Sequence, residues 1–179
     1  MRTLSAVRFV AASLLLTGLS SCGHLADVAS RLLPAELPLT EATLPVETVG
    51  DAARVVYFRA QPTSSLPPEA GSLLPELKLG GRASLSAGPD LTVDWYARTT
   101  VDGCTPLPGT PGWTCPAAGE DAGFLGRAPV GTAVQSFGPW AHPRLKQGLL
   151  SNLFIGLRVS DGVVTPGTTM NVNLSLLTR

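Results

Sequence analysis

The sequence predicts an all-β protein: an antiparallel β-sandwich of immunoglobulin-like or jelly-roll type with about seven or eight strands. Three observations lead to this fold class. Apolar and polar residues alternate with a period of two in several segments, which is typical of strands with one face on a core. Turn-forming glycine and proline residues separate these segments at short intervals. No long helical pattern lies between them, and the 19 glycines and 16 prolines agree with many turns.

The N-terminal segment has the features of an export signal. Arg2 and Arg8 supply a positive start, and an uncharged apolar run follows over residues 9–19. That run is shorter than the roughly 20 apolar residues that a membrane-spanning helix needs. A cleaved signal peptide is therefore expected.

The four residues Leu19, Ser20, Ser21 and Cys22 resemble the lipobox of bacterial lipoproteins. The resemblance implies that residues 1–21 are removed and that a lipid is attached to the thiol of Cys22. Two or more acyl chains anchor a protein stably to a membrane. In such proteins an Asp after the cysteine favours the inner membrane, so Gly23 favours the outer membrane or the cell surface. The alternative is an ordinary secretory signal cut nearby, with Cys22 incidental.

Residues 22–49 are interpreted as a tether. Apolar residues at helical spacing predict a short helix that ends before Pro34, and Pro34, Pro38 and Pro45 favour an extended arm after it. Such an arm would hold the following domain away from the bilayer. The alternative is that residues 37–49, LPLTEATLPVETV, supply a first strand to the sheet.

The sandwich domain is assigned to residues 50–179. Its clearest strands are predicted in residues 91–99, 152–160 and 168–177, where alternation is strongest. Weaker strands are predicted in residues 54–60, 76–81, 83–87, 124–130 and 132–138. The interval 138–150 breaks the alternation and is expected to hold one helical turn.

Charge argues against nucleic acid as a partner. Without residues 1–21 the chain has 158 residues with 11 basic and 13 acidic side chains, a net charge of −2. The arginines are scattered singly, whereas nucleic-acid binding needs a basic patch that neutralises several phosphates. The expected partners are the membrane, through the lipid anchor, and an envelope protein or glycan.

Cys104 and Cys115 bracket a loop rich in proline and glycine, and they are predicted to form a disulfide. An exported protein meets oxidising conditions, which favour the bond. A zinc site is the alternative, but it needs three or four ligands at recognisable spacing. The histidines of the mature chain, His24 and His142, are isolated, so no metal and no cofactor is predicted.

No catalytic residues are predicted. His142 precedes a proline in an apparent loop and lacks a nucleophile-elbow sequence. Glu120 and Asp121 are adjacent acids between glycines, and they are interpreted as a solvated pair because the spacing of a calcium loop is missing. The expectation is a protein that is not an enzyme, with an envelope hydrolase as an alternative.

Aromatic side chains are the better candidates for a binding surface. Trp113 lies inside the predicted disulfide loop, Trp140 lies beside His142, and Tyr96 is expected on the outward side of its strand with Asp94 and Arg98. Exposed aromatic rings can stack on sugars or anchor a protein partner. The leading hypothesis is a lipid-anchored envelope domain that binds or scaffolds another protein without catalysis. The alternative is a carbohydrate-binding module for peptidoglycan or a surface polysaccharide.

Overall fold

The computed structural model describes residues 35–62 and 76–178. Within these ranges, two antiparallel sheets pack together, which confirms the predicted β-sandwich. In chain order the strands are β1 (Glu36–Pro38), β2 (Ala42–Pro45), β3 (Arg54–Arg59), β4 (Lys78–Leu85), β5 (Leu91–Arg98), β6 (Thr105–Pro106), β7 (Trp113–Pro116), β8 (Phe124–Val130), β9 (Gln135–Ala141), β10 (Phe154–Asp161) and β11 (Thr169–Leu177). The helices are α1 (Val46–Val49), a 3₁₀ turn (Glu120–Gly123) and α2 (Pro143–Leu150).

Both sheets are built from antiparallel pairs alone. The first has five strands in the order β1-β11-β4-β9, and β2 pairs with a further part of β11. The second has six strands in the order β6-β7-β3-β10-β5-β8. The three clearest predicted strands become β5, β10 and β11, which lie at the centre or next to the edge of their sheets.

The start of the sandwich corrects the predicted tether. Strands β1 and β2 both pair with β11, and α1 follows directly. Four apolar residues of this stretch alternate with exposed residues and are buried in the core. They are Leu37, Leu39, Leu44 and Val46. Residues 36–49 therefore belong to the sandwich, as in the alternative that gave this stretch a first strand. The predicted helix before Pro34 lies outside the described residues.

Other strands also differ from the sequence prediction. Residues 76–81 and 83–87 were predicted to form separate strands, yet β4 is one strand that continues through Gly80 and Gly81. A Cβ on Gly81 would lie 2.4 Å from the Asn173 carbonyl oxygen, so glycine serves close packing here. The described residues contain more strands than predicted because β1, β2, β6 and β7 have only two to four residues each, so that any alternation within them is a weak signal. Helix α2 has eight residues instead of one turn.

The core between the sheets is centred on aromatic rings. Trp95 from β5 is fully buried, and its ring stacks on Phe137 from β9 with 4.1 Å between centroids. The Trp140 ring joins this group, with its centroid 5.5 Å from that of Phe137 and 6.2 Å from that of Trp95. Gly126 makes room for the Trp140 indole, since a Cβ there would lie 2.3 Å from Cε2 of that ring.

Each outermost strand of the two sheets contains a proline. These are Pro38 in β1, Pro45 in β2, Pro106 in β6, Pro129 in β8 and Pro139 in β9. Proline removes a backbone N–H donor, and it hinders the pairing of an edge strand with another chain. The sheet edges are therefore poor sites for a partner that adds a strand.

Candidate functional site

The outer face of the six-stranded sheet carries a second group of buried residues, which we call the outer-face cluster. It consists of Val55, Tyr57, Tyr96, Cys115 and Phe154. The loop between Cys104 and Cys115 packs against it, and the two sulfur atoms lie 2.01 Å apart, at disulfide-bond distance, as predicted. Gly156 leaves space for the Tyr57 ring, because a Cβ there would lie 2.5 Å from it. This face is thus covered by the protein itself.

Glu120 closes one side of the outer-face cluster. Its Oε2 accepts a hydrogen bond from the Tyr57 hydroxyl at 2.5 Å, and its Oε1 lies 3.3 Å from Nη1 of Arg98. The same Arg98 nitrogen lies 2.9 Å from the sulfur of Cys104 and 3.2 Å from that of Cys115. Burial, and then the bond to Glu120, raises the pKa of Tyr57 above its ordinary value. The phenol therefore stays protonated and donates.

The position of Glu120 corrects the predicted solvated pair of acids. Only 7% of Glu120 is exposed, whereas Asp121 beside it is exposed as expected. The 3₁₀ turn directs the two neighbours in different directions, so their adjacency in the sequence does not make a carboxylate site. Glu120 instead has a structural hydrogen bond and an ion pair.

Asp94 forms a second ionic group on the same face. Its Oδ1 accepts from Nε of Arg127 at 2.6 Å, and its Oδ2 accepts from Nη2 of Arg158 at 2.8 Å. Burial would raise the pKa of Asp94, but hydrogen bonds from Arg127, Arg158 and Ser160 outweigh it and lower the pKa. Asp94 and Arg98, which were expected on the outward side of the strand with Tyr96, do not pair with each other, because Arg98 contacts Glu120 and Asp94 is 1% exposed.

The three aromatic residues predicted to share a binding surface lie in different environments. Tyr96 is 2% exposed and lies under the Arg158 guanidinium, with Phe124 at its edge. Trp140 is half-buried in the aromatic group between the sheets. Trp113 is half-buried and lines a cleft. Among the three, only Trp113 is placed to meet a ligand in an open cleft.

We call the space beside this residue the Trp113 cleft. It has a volume of about 360 Å³ and lies where β2, the end of β3 and the loop before β7 meet. Its lining consists of Thr40, Glu41, Ala42, Thr43, Leu44, Phe58, Arg59, Thr110, Pro111 and Trp113. Sequence reasoning missed the residues before position 45 because they were assigned to the tether. The period-two alternation of Leu37 with Leu39 and of Leu44 with Val46 was the signal that could have found them.

A second cleft of about 520 Å³ lies beside α2, and we call it the α2 groove. It is lined by Glu76, Leu77, Ala141, His142, Pro143, Lys146, Gln147 and Leu150. Leu150 at its rim is 51% exposed. The groove combines an apolar lining with charged rim residues, a composition that suits a side chain of another molecule.

His142 has structural contacts at the start of α2. Its Nδ1 accepts a hydrogen bond from the backbone N–H of Arg144 at 3.1 Å, which caps the helix. The backbone of Ala122 is a second hydrogen-bond partner of the imidazole, and burial together with the charge of Arg144 lowers the pKa of His142. A neutral imidazole can accept a hydrogen bond at Nδ1, as a helix cap requires. The lone pair of Nδ1 is occupied by the bond from the Arg144 N–H.

Within residues 35–62 and 76–178, no group of three His, Cys, Asp or Glu side chains converges as metal ligands would. The helices of this part of the chain are all too short or too polar to cross a membrane. The predicted lipidation residue, Cys22, lies outside the described residues. No protein-family model matches this chain, and no curated protein is significantly similar to it.

Proposed function

We propose that this protein is a lipid-anchored component of a bacterial cell envelope whose β-sandwich binds another envelope molecule without catalysis. The anchor part of the proposal is supported by Leu19, Ser20, Ser21 and Cys22, which resemble a lipobox after an apolar run. A disulfide agrees with export, because such bonds persist in oxidising compartments.

One observation supports binding over chemistry: the side chains best suited to acid–base work already have structural partners. Asp94 contacts two arginines, Glu120 contacts Tyr57 and Arg98, and His142 caps a helix. A general base needs a lone pair within reach of a substrate proton. These groups instead stabilise the sheet face and the helix, while the α2 groove and the Trp113 cleft are open to solvent.

The leading form of the proposal is a protein partner that inserts an apolar side chain into the α2 groove. The second candidate is a glycan, and the observation that favours it is the Trp113 cleft. The proline residues in the edge strands support side-chain recognition in a cleft over strand addition.

The anchor is tested by replacing Cys22 with alanine in the full chain. We expect this variant to lose metabolic labelling with a radioactive fatty acid and to leave the membrane fraction or remain uncleaved. Ser21→Ala is the matched control, because it keeps a small residue beside the cysteine and should be processed like the wild type. A Cys22→Ala protein in the membrane fraction at the wild-type mass would contradict the anchor.

The binding role is tested with a photo-activated cross-linking residue placed at position 150 of the α2 groove, in intact cells. Val163, which is 72% exposed and lines neither cleft, is the control position. A single protein product from position 150 and none from position 163 would support the leading form. The same products from both positions, or none from either, would contradict it.

A further inference from the structure

We propose that the Trp113 cleft binds a neutral saccharide, so that the envelope molecule recognised at this site is a glycan. This inference rests on the proposed binding function and names a ligand class for one of its two clefts. It is carried by three features of the cleft: a fixed indole, a polar rim of balanced charge, and a size suited to a small ligand.

The indole of Trp113 is held in place by its neighbours. It meets the Phe154 ring edge to face, with 5.3 Å between centroids and 85° between planes. The residue is half-buried, and buried Leu44 and Phe58 form the apolar part of the lining. The axial C–H groups of a pyranose with equatorial hydroxyls form apolar ring faces, and a rigid aromatic surface binds such a face with little loss of side-chain entropy.

The rim of the cleft carries hydrogen-bonding groups that are already oriented. Arg59 donates to Oδ1 of Asn152, which holds the guanidinium at the end of β3. Glu41 accepts a hydrogen bond from Nδ2 of Asn173 at 2.6 Å. Arginine has five donors and a carboxylate has about four acceptor positions, so both groups retain capacity beyond these contacts. Planar polar side chains of this kind can bind the hydroxyls at the edge of a sugar ring.

The charges of the lining favour a neutral ligand. Arg59 and Glu41 are its two charged residues, one of each sign. An acidic ligand would be attracted by Arg59 and repelled by Glu41. A cationic ligand would be attracted by Glu41 and repelled by Arg59. The volume of about 360 Å³ lies near the lower end of the range of roughly 300–1,000 Å³ for small-molecule sites. It therefore suits one or two sugar units of a longer chain.

The experiment measures binding of neutral tetrasaccharides, one of glucose and one of N-acetylglucosamine, by isothermal titration calorimetry. The full-length protein is kept in a detergent without a sugar head group, so that the detergent does not compete. The variant Trp113→Leu keeps an apolar side chain against Phe154 but removes the aromatic surface. Phe124→Ala is the matched control, because Phe124 is an aromatic residue that is 41% exposed and lies outside the cleft.

We expect the wild type and Phe124→Ala to bind at least one tetrasaccharide, and Trp113→Leu to bind it at least tenfold more weakly. Arg59→Gln should also weaken binding, because it removes the charged donor from the rim and keeps Trp113 in the cleft. Circular dichroism and the melting temperature establish that each variant is folded. If Trp113→Leu fails to fold, two other measurements test the inference. They are the affinity of Arg59→Gln for the glycan and a glycan-dependent shift in the tryptophan fluorescence of the wild type.

Binding of neither sugar at millimolar concentration, or equal binding by the wild type, Trp113→Leu and Arg59→Gln, would overturn the inference. Fatty-acid labelling and cross-linking from position 150 are measured on the same variants. If labelling and cross-linking stay at the wild-type level while glycan binding is absent, only the ligand class is refuted. If the wild-type protein is not labelled with the fatty acid, the proposed lipid-anchored function itself is refuted.

Discussion

Replacing Asp94 with asparagine should lower the free energy of unfolding by about 2–3 kcal/mol. The wild-type carboxylate is 1% exposed and accepts three hydrogen bonds from two guanidinium groups, at 2.6, 3.2 and 2.8 Å. Asparagine keeps one acceptor oxygen and turns an NH₂ group towards an arginine donor. Arg127 is 58% exposed, so solvent screens its share, and the larger part of the loss comes from Arg158 at 25% exposure.

The loss is measured by urea unfolding followed by circular dichroism, and by the melting temperature. For a protein of this size, 2–3 kcal/mol corresponds to about 4–12 °C. Asp51→Asn is the matched control, because Asp51 lies 3.4 Å from Arg54 and both side chains are more than half exposed. That variant should lose less than about 0.5 kcal/mol.

Acidification should reduce the difference in the free energy of unfolding between the wild type and Asp94→Asn. The pKa of Asp94 is lowered in the folded protein, because hydrogen bonds from Arg127 and Arg158 outweigh burial. Its ionised form therefore stabilises the protein above the unfolded-state pKa, and this stabilisation is lost as the pH falls through the lower folded-state pKa. If Asp94→Asn is as stable as Asp51→Asn at neutral pH, or if its difference in stability from the wild type grows on acidification, Asp94 does not stabilise the fold through its arginine contacts.

Two further predictions concern the disulfide and the cap of α2. Replacing Cys104 and Cys115 with alanine should cost about 2–3 kcal/mol by the chain-entropy estimate for a separation of 11 residues, and an unchanged urea midpoint would disprove it. Burial and Arg144 lower the pKa of His142, so its neutral form stabilises the fold above the unfolded-state pKa, and this contribution is lost as the pH falls through the folded-state pKa. The variant His142→Asn keeps a capping acceptor without this titration, so its stability should fall less than that of the wild type between about pH 7 and 5. Equal slopes for the two proteins over this range would contradict the assigned role of His142.

The fold class was predictable because alternation and turn residues are local signals. Leu91, Val93 and Trp95 alternate with Thr92 and Asp94, and this period alone identifies a strand with one face on the core. The disulfide was also predictable, since Cys104 and Cys115 are the two cysteines other than Cys22, which was assigned to the predicted lipidation site. Short strands such as β1 and β2 escaped detection because a few residues show too little alternation to outweigh three prolines.

The candidate site was less predictable, because its members come from distant parts of the chain. Trp113 was identified from its residue type and loop position, while Glu41 and Arg59 were not. These residues meet only when β2 pairs with β11 and β3 pairs with β7. The pairing of these strands depends on how both faces of each sheet are buried. The alternation of residues along one strand does not specify this.

The sequence by itself determined the strand-rich class, the disulfide and the expectation of a lipid anchor, because each depends on residues that are close in the chain. The tertiary structure decided which side chains face each other. It placed Asp94 with Arg127 and Arg158, Glu120 with Tyr57, and Trp140 between the sheets. Alternation assigns a residue to one of two faces, but only the packing of sheets and loops decides whether that face meets solvent, a cleft or a buried partner.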